Sequence, residues 1–380
     1  MVNTERFMRL IATALVASAT LAPTPARSQP AGSDSIPFAE TIARLSGTGG
    51  YFDTDNLISN ETGYLHVVPG LLRAGLRGGA YLGVGPDQNY SYIAALRPDL
   101  AIVVDLRRDN LLHHLLLKAL IQISPTRADY LANLTGRPLP AGDAESEGDI
   151  TDLSADALVE VVGAAPVDSA NLTAVRRRVI SVAASFGVPL DRDDLETLTR
   201  FHGEFVRWGM GLKFTSAGRA PRAYYPTLGA LIAATDLEGT PRGYLASEDA
   251  YRTVRDLHLR GRIIPVVGDL AGEEALPAVA SLLRERGLRV NAFYTSNVEF
   301  YLVRQGTFDQ FAAGVVALPH GPDAVLIRSV FLSSFWGEHP LAVPGHASVQ
   351  VLERIDDFSE SHRSGEFRSY ADLATLNVFR

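Results

Sequence analysis

One stretch constrains this chain more than any other: Gly78 to Asn110, GGAYLGVGPDQNYSYIAALRPDLAIVVDLRRDN. It predicts a βαβ unit. Ala80-Tyr81-Leu82 is a short apolar strand that runs into the sharp turn Gly83-Val84-Gly85. Tyr90 to Leu96 follows with helical spacing, placing Tyr90, Ile93 and Ala94 on one face. Ala101-Ile102-Val103-Val104 is the β-branched run that a strand buried on both faces requires, and it ends on Asp105. Glycines let a backbone turn sharply and approach a ligand, and an acid at the end of the second strand can accept hydrogen bonds from two ribose hydroxyls. Asp105 stands 22 positions (83 to 105) after Gly83, close to the spacing of about 20 residues expected of that contact. Gln88 occupies the place of the third glycine of a dinucleotide fingerprint, which counts against a nicotinamide-dependent oxidoreductase. The same residues also read as a tight βα turn with Asp105 capping the next helix.

Strand signals return only after Gly261. Arg262 to Val267 is a strand ending in Gly268-Asp269, and Leu288 to Tyr294 is another, ending in Thr295-Ser296-Asn297. Asp323 to Val330 is a further strand, and Ala347 to Arg354 alternates as the last. Glu273 to Arg286 reads as a helix closed by Gly287, and helical spacing recurs at Val298 to Val303 and Phe308 to Val316. Weaker helical spacing marks Pro37 to Leu45 and Tyr64 to Leu72. Residues 111–258 read as a helical insertion that begins with the apolar run Leu111 to Ile123 and includes an acidic stretch at 142–149. Within it Leu195, Leu198, Phe201, Phe205 and Trp208 recur at helical spacing, as core residues do.

The fold class that follows is α/β: a doubly wound, mostly parallel sheet of Rossmann-like type over residues 51–380, with the helical insertion packed over one end. Ligands of such sheets bind in the crevice outside the carboxyl ends of the strands. Gly83, Asp105, Asp269 and Asn297 all stand at such ends and are expected to converge.

Several function classes drop out. The 380 residues contain no cysteine, which removes disulfides, thiolate metal sites and cysteine nucleophiles. A formal net charge of -8 argues against a nucleic-acid-binding surface. His113 and His114 are adjacent, so on a helix they point about 100° apart and cannot chelate one ion together. His202 and Glu204 lack the His-Glu-x-x-His pattern of a zinc hydrolase. Tyr51 to Thr62 (YFDTDNLISNET) carries the alternating acids of a calcium loop, but Leu57 stands at the third ligand position and no glycine follows where that loop must turn. No metal is expected. That stretch either caps helices and turns or folds over the ligand mouth as a lid.

At the N-terminus Arg6 and Arg9 precede the apolar run Leu10 to Ala22, and Ala26-Arg27-Ser28 offers small residues where a signal peptidase reads. Residues 1–28 therefore predict an export signal and 29–50 a flexible lead-in, giving a periplasmic or secreted product with no membrane contact beyond the signal segment. Oligomeric state leaves no mark in the sequence.

This order of parts resembles the class I S-adenosylmethionine-dependent methyltransferases. The likeness is carried by Gly83-Val84-Gly85 after the first strand, Asp105 after the second, Gly268-Asp269 after the third and Ser296-Asn297 after the fourth. It implies S-adenosylmethionine as cofactor, with Gly83, Gly85 and the adjoining Asp87 against its amino-acid part, Asp105 on the ribose and Asp269 on the adenine amino group. Asn297 is implied on the substrate side. Tyr294 and Glu299 are the candidates to take a proton if the acceptor must lose one, against structural readings as a core ring and a helix-start residue. Pro86-Asp87 departs from the small residues usual after the turn, and Ser296-Asn297-Val298-Glu299 is not the Asn-Pro-Pro-Tyr signature of amino-methylating enzymes. The acceptor, a small molecule or a peptide, is left open. The alternative is an exported protein that keeps this fold and binds a nucleoside or other small ligand without turnover, since S-adenosylmethionine is made in the cytoplasm.

Overall fold

Every residue of the run Leu100–Asp105 is buried, as expected of a central parallel strand, and the sheet is built outward from it. The strands are β1 Ala80–Gly83, β2 Leu100–Asp105, β3 Ile263–Val267, β4 Val290–Ser296, β5 His320–Phe331 and β6 Ser348–Arg354. Their spatial order is β3-β2-β1-β4-β5-β6. The first five are parallel, with Tyr81 beside Ala101 and Asp105 beside Val267 in register. The last, β6, runs antiparallel to β5. An antiparallel edge strand on an otherwise parallel sheet is common in doubly wound folds. The outer side of β6 is met by the chain end, where Leu352 and Phe379 exchange backbone hydrogen bonds of 2.9 Å, so the edge is not left open.

The computed structural model describes residues 37–139, 150–216, 219–334 and 338–380. The expected export signal at 1–28 and the acidic stretch at 142–149 lie outside the described residues. Of the expected lead-in at 29–50, Phe38–Leu45 form a helix whose Ile42 and Leu45 enter the core, and Gly47 N–H donates to the Val267 carbonyl at 2.9 Å. The helix expected over Tyr64 to Leu72 occurs as Val68–Arg73. Proline fits its first turn, because a proline has no N–H to donate and that position needs none.

Parallel neighbours require long crossovers, and helices supply them. Gln88–Leu96 links β1 to β2, and Ala275–Glu285 links β3 to β4. Val298–Gln305 and Phe308–Val316 link β4 to β5. The crossover from β2 to β3 holds the expected helical insertion. Arg108–Ile123 opens it and Glu248–Leu259 closes it, with Arg127–Thr135, Ala155–Ala164, Ser169–Ala184, Arg192–Trp208 and Leu228–Ile232 between. Local signals set these boundaries. Thr126 and Asp129 form a reciprocal capping box at the start of Arg127–Thr135, and Gly136 ends it at φ 66°. Leu198, Phe201 and Phe205 of Arg192–Trp208 are buried, whereas Trp208 at the end of that stripe is 51% exposed. Among the described residues no single helix is long and apolar enough to cross a membrane.

Candidate functional site

The chain winds from β1 outward to β3 and then returns to place β4 on the other side of β1, so the carboxyl ends of β1 and β4 diverge. That divergence is the topological switch point where open α/β sheets bind ligands. A cavity of about 190 Å³ lies there. Each of four strand ends contributes to it: Gly85 from β1, Asp105 from β2, Asp269 from β3 and Asn297 from β4.

The glycine turn is more elaborate than its two glycines suggest. Gly85 lines the cavity with φ 82°, a left-handed conformation that glycine adopts without cost. Gly83 does not face the cavity. A Cβ there would lie 1.9 Å from the Asn89 side-chain oxygen, so the glycine makes room for Asn89. Asn89 is buried and holds the turn from inside, donating to the Val84 carbonyl at 2.9 Å and the Pro86 carbonyl at 2.7 Å and accepting from the Tyr81 hydroxyl at 2.8 Å. His114 holds the other side. Its Nε2 lies 2.9 Å from the Gly85 carbonyl and its Nδ1 lies 2.7 Å from the Tyr90 hydroxyl. A neutral ring with the proton on Nε2 satisfies both contacts, and burial pushes this histidine down to about 4. His113 turns the other way and stacks on Phe205 at 5.9 Å.

Asp87 turns away from the cavity. It accepts a 2.7 Å hydrogen bond from the Tyr244 hydroxyl and faces the helical insertion, so a direct contact with a ligand against Gly85 is not available to it. Burial pushes it up to about 6, above the ordinary 3.8. An acid that holds its proton more tightly when folded contributes stability below about pH 4 that is lost as pH rises through about 6. Asp87→Asn keeps an acceptor for Tyr244 and removes the titration. It is expected to match the wild type at pH 4 and to exceed it at pH 7, on the order of 1–3 kcal/mol. Denaturant unfolding of both proteins at the two pH values measures this, and parallel curves would contradict it.

Asp105 is in place at the end of β2 but is not alone. Its Oδ1 accepts the Arg107 backbone N–H at 2.9 Å and Nε at 3.1 Å, and its Oδ2 accepts another guanidinium N–H at 3.1 Å. Arg107 reaches on to the Thr54 carbonyl at 2.6 Å. The stretch from Phe52 to Glu61 thereby forms one wall of the cavity, with Phe52, Thr54, Asn56, Ser59, Asn60 and Glu61 lining it. Two further contacts fasten this wall to the insertion: the Thr54 hydroxyl donates to the Thr215 carbonyl at 2.7 Å, and Arg200 pairs with Asp55 at 3.2 Å. Across the mouth the ring of Phe52 meets Tyr301 edge-on, 5.0 Å between centroids. Both expectations for this stretch are met in part: the Thr54 and Ser59 hydroxyls accept the Asn56 and Glu61 backbone N–H groups at 3.1 Å and close turns, while the same stretch lines the mouth.

At the end of β4 the backbone of Ser296 has φ 52°, a strained value for a residue with a side chain. Its hydroxyl donates to Glu61 Oε1 at 2.7 Å, and the Tyr294 hydroxyl donates to the same oxygen at 2.8 Å. Gln88 Nε2 donates to Glu61 Oε2 at 3.1 Å and also contacts the Tyr294 hydroxyl. Burial and the nearby Glu61 carboxylate hold the Tyr294 phenol well above its usual range, so it acts here as a donor. Glu299 does not reach the cavity lining. Both its oxygens accept Arg328 Nε at 2.8 Å, and Arg328 pairs in turn with Glu353. The triad ties the helix after β4 to β5 and β6, and its three side chains are at most 2% exposed. Glu299 is therefore a core ion-pair partner in this arrangement. Asp269 is exposed at the rim and gives one oxygen to the Ala271 N–H at 2.9 Å.

Among the described residues no three histidine or acidic side chains gather as a metal site. What the arrangement defines is an open α/β sheet with a cleft at the carboxyl ends of its parallel strands and an acid at each of two neighbouring ends. The chain belongs to the family of the domain of unknown function DUF7790, whose model matches residues 57–139 and 220–369. The Glu61, Gly85, Asp105, Asp269 and Asn297 positions all fall within the matched stretches. No curated protein matches the chain.

Glu61, Arg107 and Asn89 were not singled out by sequence reasoning. Glu61 lies in the acceptor-rich stretch Tyr51 to Thr62 weighed as a lid, and Arg107 carried a signal of its own, since a cation two residues beyond a strand-end acid can fold back onto it.

Proposed function

We propose that the cleft binds an adenosyl ligand and that the protein is an S-adenosylmethionine-dependent methyltransferase, or a methyltransferase-like protein, of the class I type. The supporting observation is that Gly85, Asp105, Asp269 and Asn297, from four separate strand ends, border one cavity. Leu106 and Leu270 bring apolar side chains from neighbouring strand ends to the same cavity, as a planar base requires. Asp269 has one carboxylate oxygen beyond its bond to Ala271, and an adenine amino group is a suitable donor to it. Asp105 and Arg107 offer an acceptor beside a donor, which suits a pair of ribose hydroxyls. Bound S-adenosylmethionine would supply an electrophilic methyl group on a sulfonium. The chain's own task is then positional: Asn297 at the β4 end orients the acceptor, while Phe52, Phe214 and Tyr301 keep water from the reacting atoms. With Glu299 held by Arg328, that carboxylate is not available as a base. The acceptor is a small molecule or peptide.

A second reading keeps the nucleoside and drops the turnover. It is favoured by the N-terminal sequence, whose export pattern would carry the product away from the compartment where S-adenosylmethionine is made. Titration calorimetry with S-adenosylhomocysteine, adenosine and NAD separates the readings. Tightest binding of S-adenosylhomocysteine supports the first and adenosine alone the second; preference for NAD, or no binding of any, overturns both. Cell fractionation with N-terminal sequencing shows whether the mature chain begins near Gln29.

A further inference from the structure

Of the non-glycine residues with positive φ among those described, Ser296 is the one that no local rule accounts for. Asn56 and Asn377 are of a type that tolerates the left-handed region, and Arg97 adopts it where a helix ends. Ser296, at φ 52°, joins the parallel strand β4 to the helix Val298–Gln305. A sharp, strained turn from strand to helix is the arrangement that lifts a serine hydroxyl clear of a sheet and presents it to a substrate. Here it sets the hydroxyl in the cavity wall, where it donates to Glu61 Oε1 at 2.7 Å.

Glu61 is placed to take that proton. It is 1% exposed and lines the same cavity. The Tyr294 hydroxyl holds Oε1 at 2.8 Å, while Gln88 and Gln350 hold Oε2 at 3.1 and 3.3 Å. These partners are neutral, and among the described residues no lysine, arginine or histidine pairs with this carboxylate, whereas Glu299 is locked onto Arg328. An adjacent cation would make the oxygen a weaker proton acceptor; burial does the opposite and raises the Glu61 carboxyl above its ordinary value. Donors for a developing oxyanion stand beside the pair. The Asn297 side chain lines the cavity, and the helix that starts after it has no side chain capping its first N–H groups. Phe52, Phe214, Tyr301 and Leu302 give the cavity an apolar side.

We propose that Ser296 and Glu61 are a nucleophile and its base, and that the cleft hydrolyses esters of short apolar acyl groups through an acyl-serine. Ser296 Oγ attacks the ester carbonyl while its proton passes to Glu61 Oε1, and the carbonyl oxygen becomes the oxyanion. Collapse breaks the bond to the alcohol oxygen, which leaves with the proton from Glu61. Water then attacks the acyl-serine, giving its proton to Glu61, and the acid departs as that proton returns to Ser296 Oγ. The sum is ester plus water to acid plus alcohol. The inference stands on these side chains alone and does not need the nucleoside reading; its co-reactant is water.

A fluorophosphonate probe, which bonds an activated serine oxygen to phosphorus and releases fluoride, tests it on the full chain. Tandem mass spectrometry should place the phosphonyl group on Ser296 of the wild type, and p-nitrophenyl butyrate should be hydrolysed. Ser296→Gly, whose backbone adopts φ 52° without strain, is expected to fold by thermal unfolding and to lose both labelling and hydrolysis. Glu61→Gln keeps an acceptor for Tyr294 but cannot take a proton, and should slow both reactions by about a hundredfold or more. A folded wild type that is not labelled, or is labelled at other serines instead, overturns the proposal whatever the variants do. Hydrolysis that persists within about twofold in Ser296→Gly overturns it as well, and Glu61→Gln reacting at the wild-type rate removes the assigned base.

Discussion

Replacing Arg328 by alanine is expected to cost about 3–5 kcal/mol of folding stability, the range for breaking a buried ion pair by removing one partner. The guanidinium lies between Glu299 and Glu353 and above the Phe358 ring, 5.2 Å from its centre, and is 2% exposed. Without it two carboxylates face one another in the core with no cation and no route for water. Burial already pushes Glu353 up to about 7 against the pull of Arg328. Both acids in the variant should therefore hold protons when folded, so its stability should recover as pH falls and fade as pH rises. Substituting all three residues with apolar side chains of similar volume is expected to restore most of the loss, since a packed apolar core needs no counter-charge. Urea unfolding midpoints measure each step. A loss below about 1 kcal/mol for Arg328→Ala would place the triad among weak, solvent-screened pairs.

The second large effect is on binding. Asp105→Ala is expected to weaken an adenosyl ligand by about 1.5–3 kcal/mol, the value of hydrogen bonds to a charged group. Its structural consequences have to be separated from this, because Asp105 also anchors Arg107, and Arg107 holds the Thr54 carbonyl of the covering wall. Asp105→Asn preserves the shape and one acceptor, so it should retain more of the fold's stability while still losing ligand affinity. Calorimetry with S-adenosylhomocysteine on variants shown to be folded by thermal unfolding decides the matter. Unchanged affinity in a folded Asp105 variant would take this residue out of the ligand site.

How far the sequence could be read depended on the range of the interaction. β1 and β2, their linking helix and the strands after Gly261 were legible because each is marked by its own apolar periodicity and by the glycines and polar residues that end it. The carboxyl-end convergence of Asp105, Asp269 and Asn297 followed from those assignments, since parallel strands all end on one side. Asp87 and Glu299 stand outside the cavity lining for a different reason. Both stand within three residues of a strand end or turn, but side-chain direction there is decided by partners far along the chain, Tyr244 for one and Arg328 for the other. Gly83 was read as a point of ligand approach, and its missing side chain instead accommodates Asn89.

By itself, the amino-acid sequence determined which segments would be strands, where each would stop, and that an acid would stand at two of those stops, because backbone preference and alternation act over a few residues. Only the tertiary structure decided that Glu61, 233 positions away in the chain from Tyr294, would be set into the same cavity wall with, among the described residues, no cationic side chain paired to it. A buried charge and its missing partner are properties of the space that distant segments enclose together, and no local pattern encodes that space.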